Sequence, residues 1–399
     1  MVPYLRAANV KDGTLDLSDV KEMNFTPNEQ TVFSLESGDV LVTEGAGSLA
    51  AVGASAVWNG EVDGTVCFQN TLLRLRPRLG VDSRFLAWWA RHAYADQLFA
   101  SVAAGANIFH LGAERVRELP VWFPDEALQR EIADFLDAET ARINALIEKK
   151  LRLINLIGMR SREAVAQAVF GGLATGSARS TTSMFFGRIP ETWSQTQIRH
   201  LGCEVQTGPF GSQLHADEYI EGGWPVINPA NLAGGVIAPD QLVTVADDKR
   251  AELELHVLRA GDVLFGRRGE MGRAALVTPT QAGWLCGTGC LRLRVRNERL
   301  LPEYLLLLLR TKALRDYFEL ASVGSTMDNL SAEIILAAPA ILPSAADQRQ
   351  IVEFAGLAFA RSTRLQHLLE TQTSLLREHR QALVTAAVTG QLDVAKAAA

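Results

Sequence analysis

Residues 119–139 read LPVWFPDEALQREIADFLDAE, and residues 338–358 read APAILPSAADQRQIVEFAGLA. Pro120 and Pro339, Pro124 and Pro343, Ala127 and Ala346, Gln129 and Gln348, Arg130 and Arg349, Ile132 and Ile351, and Phe135 and Phe354 share a single offset of 219. Two unrelated amphipathic helices would not keep prolines and a Gln-Arg pair in step. The chain carries an internal repeat, and the repeat decides the fold.

The match extends both ways. Forward, Ala141-Arg142 falls on Ala360-Arg361, Ala168-Val169 on Ala387-Val388 and Gly171 on Gly390, without a gap. Backward, FLAWWARHAYADQLF (85–99) falls on YLLLLLRTKALRDYF (304–318), and GANIFHL (105–111) on GSTMDNL (324–330). With small gaps, SGDVLV (37–42) matches AGDVLF (260–265), and PYLRAANV (3–10) matches PVINPANL (225–232). Nearly the whole chain is two copies of one unit.

Each copy has the same internal order. Alternating, β-leaning segments with Gly-rich turns come first, then a short helix, a loop, a Pro pair and one long helix. Asp125 and Ser344 follow the second proline and are N-cap candidates. Apolar residues at spacings of three and four run along both helices, and Gly171-Gly172 and Gly390 end them. A helix from about 126 to 170 would be on the order of 65 Å long unless Gly158 breaks it. Such a stripe cannot be buried against its own small domain. The two helices are therefore expected to pack on each other, antiparallel, about a pseudo-twofold axis.

Composition excludes several classes. The chain has 399 residues, 48% hydrophobic and 21% charged, with a net charge of −6. No apolar run nears the ~20 residues of a membrane span, and no export signal opens the sequence, so a cytoplasmic protein is expected. The four cysteines lack zinc spacing and read as buried free thiols. Walker, Rossmann and G-x-S-x-G motifs are missing. NPA (228–230) lacks the second proline and the aromatic residue of an adenine methyltransferase motif, and reads as a turn. No catalytic residue and no metal site are expected. With no basic tail, any DNA affinity must come from locally placed residues or from a partner's charge.

The sequence resembles the specificity (S) subunits of type I restriction–modification systems. The residues that carry the resemblance are IPETW (189–193), GPFGSQL (208–214), GDVLFGRRGEMGRAA (261–275), LPSAADQRQIVEF (342–354) and AAVTGQLDV (386–394). The first copy adds GDVLVTEG (38–45) and FPDEALQREIADFLDAE (123–139). The resemblance implies an α+β fold: a tandem repeat of two mixed α/β target-recognition domains, each followed by a long helix, the helices forming an antiparallel coiled coil. The expected division is a first recognition domain over 1–123, a long helix over 124–173 and a linker over 174–184. A second recognition domain over 185–342, a second long helix over 343–392 and a tail over 393–399 follow. About 40 residues precede PVINPANL in the second copy, whereas the first begins almost at PYLRAANV. The first domain is thus expected to be amino-terminally shortened.

By the same resemblance the partners are double-stranded DNA, two methyltransferase (M) subunits and restriction/translocase (R) subunits. No cofactor is expected in this subunit; the assembled complex would use S-adenosylmethionine, ATP and Mg²⁺. Two other readings stay open at this point: a truncated or orphan S-type subunit that binds partners without reading DNA, and a coiled-coil scaffold with protein-binding ends.

Candidate DNA contacts follow from side-chain chemistry in the Gly-rich and polar loops. Arg267, Arg268 and Arg273 can fork onto guanine or hold phosphates; their alternative is a solubilising hairpin. Ser212, Gln213, Thr326, Asn329, Asn107 and His110 are candidate base-edge or backbone contacts, against an alternative of local capping. Glu44 stands in the loop of the first copy that matches the arginine loop, so the two domains are not expected to read the same bases. Gln129, Arg130, Gln348 and Arg349 recur off the stripe, as contacts with two copies of one partner would.

Overall fold

Asp125 and Ser344 start the two long helices in the same way. Asp125 Oδ1 accepts the Leu128 amide at 2.9 Å, and Ser344 Oγ accepts the Asp347 amide at 3.1 Å. The helices span Glu126–Val169 and Ala345–Val388, 44 residues each, in the computed structural model. The structure describes residues 1–46, 48–105, 109–210, 213–267, 272–322 and 330–397. Gly171 and Gly390 end the helices at φ +102° and +74°, a region an L side chain enters only with strain. Bonds from Gly172 N to Gln167 O (2.8 Å) and from Gln391 N to Ala386 O (2.9 Å) close the ends identically. The first helix passes straight through Gly158.

The chain forms two compact units: residues 1–153 with 368–399, and residues 154–367. Both long helices contribute to both units. In the first unit, Val2–Leu5 lies between Lys21–Met23 and Cys67–Phe68, and Val40–Thr43 lies between Ser55–Val57 and Leu72–Leu75. In the second, Trp224–Ile227 lies between Thr244–Val245 and Leu285–Cys286, and Val263–Gly266 between Ala274–Leu276 and Cys290–Val295. Hairpins Val10–Lys11/Thr14–Leu15 and Leu232–Ala233/Val236–Ile237 also correspond. NPA forms a 3-10 turn, Pro229–Asn231, as read from the sequence.

The second unit has more strands. Cys203–Thr207 pairs with Cys290–Val295 along an edge that its counterpart, Leu72–Leu75, leaves unpaired among the described residues. Ser194–Gln197 pairs with Pro339–Leu342, and Ile189 and Trp193 of IPETW are buried. In the first unit, Val121, Trp122 and Phe123 are exposed where Ala340 and Ile341 are fully covered.

The cores repeat as well. Phe85, Ile132, Ala387 and Val388 meet in the first unit; Tyr304, Ile351, Ala168 and Val169 meet in the second. Each core therefore joins the domain's short helix, the start of one long helix and the end of the other. Burial of each large side chain here contributes on the order of 1.5–3 kcal/mol. YLLLLLR falls on the buried helix Pro302–Leu309. The motif GDV has a specific task. Asp39 and Asp262 are buried, each bound by a two-pronged arginine: Arg76 at 2.8 and 2.6 Å, Arg294 at 2.7 and 2.6 Å.

Within each unit the long helices pack antiparallel. Arg380 Nη1 reaches Asn144 Oδ1 (2.5 Å) and Lys150 Nζ reaches Gln372 Oε1 (2.6 Å) in the first unit. Gln366 Nε2 reaches Ile154 O (3.1 Å) and Ser161 Oγ reaches Ala358 O (3.2 Å) in the second. Gly158 favours this packing, because a Cβ there would lie 3.0 Å from Gln366 Nε2. The apolar stripe is only partly buried. Ile132, Leu136, Ile143 and Ile147 are covered, while Leu146, Leu156, Leu365 and Leu375 are exposed. The cysteines form no disulfide, and burial raises the Cys203 and Cys290 thiols to about 11 and about 12.

Candidate nucleic-acid interface

Arg267 leaves the strand Val263–Gly266 with its amide on Gly289 O (2.9 Å) and its carbonyl on the Leu330 amide (3.0 Å). Glu44 holds the equivalent place in the first unit, with its amide on Thr71 O and its carbonyl on the Leu111 amide. These bonds bring together loops that lie far apart in sequence. In the first unit Gly45–Ala46 pairs with Phe109–His110, which sets exposed His110 beside half-buried Glu44. Burial raises the Glu44 carboxyl above its usual range, and His110 opposes that rise. One unit thus offers a carboxyl and an imidazole where the other offers a guanidinium.

Arg267 is half-buried and held on two sides. Its Nε donates to Leu330 O at 3.0 Å, and its guanidinium lies 5.4 Å from the centre of the Phe210 ring. It therefore anchors its loop to the neighbouring one. Phe210 is 53% exposed, a flat apolar surface next to a cation. Gly208 permits this approach: a Cβ there would lie 1.9 Å from Gly287 O. Gln213 is exposed, and its Oε1 caps the Phe210 amide at 3.0 Å. Local capping, the alternative weighed for it, is what its oxygen does. Arg273 follows Gly272 and faces a cleft with Arg310 and Arg315. Ser212, Arg268, Thr326, Asn329 and Asn107 lie outside the described residues.

The expectation for Gln129 and Gln348 needs correcting. Both side chains are 0% exposed, so neither can form part of a docking surface. Gln129 accepts the Asp82 amide (3.0 Å) and donates to Gly80 O (3.2 Å) and Pro124 O (2.8 Å). Gln348 accepts the Leu301 amide (2.8 Å) and donates to Arg299 O (2.7 Å) and Pro343 O (3.1 Å). Their recurrence has an internal cause: each fastens a recognition domain to a helix start. Arg130 and Arg349 beside them are exposed, and Arg130 pairs with Glu126.

The repeat has a match among known proteins. The type I restriction modification DNA specificity domain matches residues 1–156 and again 190–355. The chain belongs to this family. It is 23% identical to the EcoKI specificity subunit of Escherichia coli strain K12 over 405 residues, 98% of this chain and 82% of that protein. The StySPI specificity subunit of Salmonella potsdam is 26% identical over 185 residues, 46% of this chain and 39% of that protein.

Two solved structures share the fold. One, from work on complex assembly and conformational transition of the type I R-M system, has a TM-score of 0.73 at 18% identity, covering 98% of this chain and 92% of that one. The HsdS subunit of Thermoanaerobacter tengcongensis has a TM-score of 0.56 at 18% identity, covering 98% and 91%. This specificity subunit has two tandem recognition domains and no catalytic role of its own. Its general partners are DNA and the other subunits of its complex, and the orphan or scaffold alternative is not favoured. No helix among the described residues is long and apolar enough to cross a membrane.

Proposed function

We propose that this specificity subunit reads a bipartite DNA site, one half with each recognition domain, and docks two M subunits on its long helices. Restriction/translocase subunits join the same assembly. S-adenosylmethionine, ATP and Mg²⁺ serve the adenine-N6 methylation, translocation and cleavage carried out by those partners, and this chain holds none of them; the assembly works in the cytoplasm. The recognition domains over 1–123 and 185–342 are the exchangeable parts of that design, and the long helices over 124–173 and 343–392 are its constant parts.

One observation carries the reading. Equivalent backbone positions in the two domains present different chemistry, Glu44 with His110 in one and Arg267 in the other, on a shared frame. Base readout needs this combination of constant scaffold and variable tips. Arg267, Arg268, Arg273, Ser212, Gln213, Thr326 and Asn329 are assigned to one half-site, and Asn107 and His110 to the other. Replacing residues 185–342 with another such domain should change one half of the methylated sequence only. Sequencing of methylated sites that showed both halves changed, or neither, would overturn the assignment.

Exposed leucines support docking of two identical partners. Leu146 and Leu365 are 42% and 40% exposed, and Leu156 and Leu375 are 51% and 57% exposed, both pairs at the repeat offset. Each unit carries one leucine of each pair. Arg130 and Arg349 extend these surfaces. Leu156→Asp and Leu375→Asp should each remove one M subunit from the assembly, as measured by native mass.

A further inference from the structure

The second unit contains a cleft of about 770 Å³ between the first long helix and the recognition domain. Arg162 and Glu163 line it from the helix, and Arg273, Arg310, Lys312 and Arg315 line it from the domain. Among the described residues five cations thus face one carboxylate, in a protein of net charge −6. Lys312 is paired with Asp316 at 2.6 Å. Among the described residues no carboxylate lies within ion-pairing distance of Arg162, Arg310 or Arg315.

The Arg310 guanidinium and the Arg315 stem sit where glycines make room for them. A Cβ on Gly235 would lie 2.1 Å from Arg310 Nη1, and a Cβ on Gly272 would lie 2.5 Å from Arg315 Cγ. Arg310 Nη2 donates to Gly234 O at 2.8 Å, which fixes its direction. Burial first, then the neighbouring charges of Arg315 and Arg162, lower the Arg310 pKa.

We infer that this cleft binds backbone phosphate of duplex DNA, an inference that rests on the DNA-reading role proposed above. Guanidinium forks match phosphate oxygens, and phosphate and sugar take half or more of the hydrogen bonds a protein makes to DNA. Arg273 ties the cleft to the recognition loop, which favours a duplex over a free polyphosphate. The equivalent places in the first unit are occupied differently. There Arg91 packs over Gly13 as Arg310 does over Gly235, but it pairs with Asp12 (3.5 Å) and lies over Trp88 (4.5 Å). Asp96 stands where the second unit has Arg315. The two units therefore present different sets of cations at these equivalent places.

The test is the salt dependence of binding a short labelled duplex of random sequence, using the full chain assembled with its methyltransferase subunit. Arg310→Gln with Arg315→Gln should weaken binding several-fold and reduce the log–log salt slope by about two, while Arg91→Gln leaves the slope unchanged. If loss of the Gly234 bond unfolds the first variant, Arg162→Gln with Arg315→Gln carries the same expectation. An unchanged slope in folded, duplex-binding variants overturns the phosphate site and leaves DNA reading intact. No duplex binding by the unaltered assembly overturns both. Stabilisation by tripolyphosphate that the variants lose, with an unchanged duplex slope, overturns the duplex assignment in favour of a free polyphosphate.

Discussion

Arg294 grips Asp262 with two parallel hydrogen bonds, Nε to Oδ1 at 2.7 Å and Nη2 to Oδ2 at 2.6 Å, in the buried centre of the second unit. Asp262 also accepts the Arg259 amide at 2.7 Å, so it joins a turn to a strand. Removing one partner leaves a buried, unpaired charge. Arg294→Met should therefore cost about 3–5 kcal/mol in urea unfolding, and Asp262→Leu combined with it should recover much of that loss.

The glutamine fasteners make a second prediction. Gln348→Ala should cost about 1–3 kcal/mol by leaving buried main-chain groups without partners. Gln348→Glu should cost more, because a carboxylate cannot donate to Arg299 O and Pro343 O. Gln129→Glu should behave alike, read by its own denaturation midpoint. Equal stability of the Ala and Glu variants would contradict the hydrogen-bond account.

Acid should loosen both units. His92 and His256 are buried, and burial holds each below the ordinary value of 6.5. Above pH 6.5 both are neutral, folded or unfolded, and stability is full. As pH falls below that value the unfolded chain takes up protons that the folded chain resists. Stability then drops by up to ~1.4 kcal/mol per pH unit per histidine, until the folded-state values are passed. His92→Gln should flatten the part of the profile belonging to the first unit; an unchanged profile would exclude His92 as a source.

Glu44 and Arg267 should act on different halves of the target. Arg267→Ala frees the loop from Leu330 and Phe210 and should relax one half-site by about 1–3 kcal/mol of discrimination. Glu44→Gln should leave that half unchanged and alter the other. Competition binding against a library randomised in each half separates the two.

The repeat, the long helices, their glycine ends and the antiparallel packing were legible because backbone rules act locally and recur at 219. Asp125, Ser344, Gly171 and Gly390 do what their types and positions indicate. Gln129 and Gln348 show where recurrence misleads. It marked them as important, but an inward-facing amide and an outward-facing one look the same in sequence. Arg310 and Arg315 escape a reading of the sequence for a related reason: one follows an apolar helix and the other lies on a charged one, and only the fold brings them to Arg162 and Arg273. The stripe predicts helix–helix packing, yet Leu146, Leu365 and Leu375 on it face outward, because periodicity shows an apolar side without showing how much of it is covered.

The amides of the buried glutamines hydrogen-bond to main-chain atoms of the domains they hold. Asp82 and Leu301 supply only an amide there, and Gly80 and Arg299 only a carbonyl, groups that any residue but proline carries. Such a socket accepts any insert whose chain follows the right path, whatever its side chains. A lineage can thus acquire a new address by gene exchange between these sockets without redesigning the machinery that acts on it.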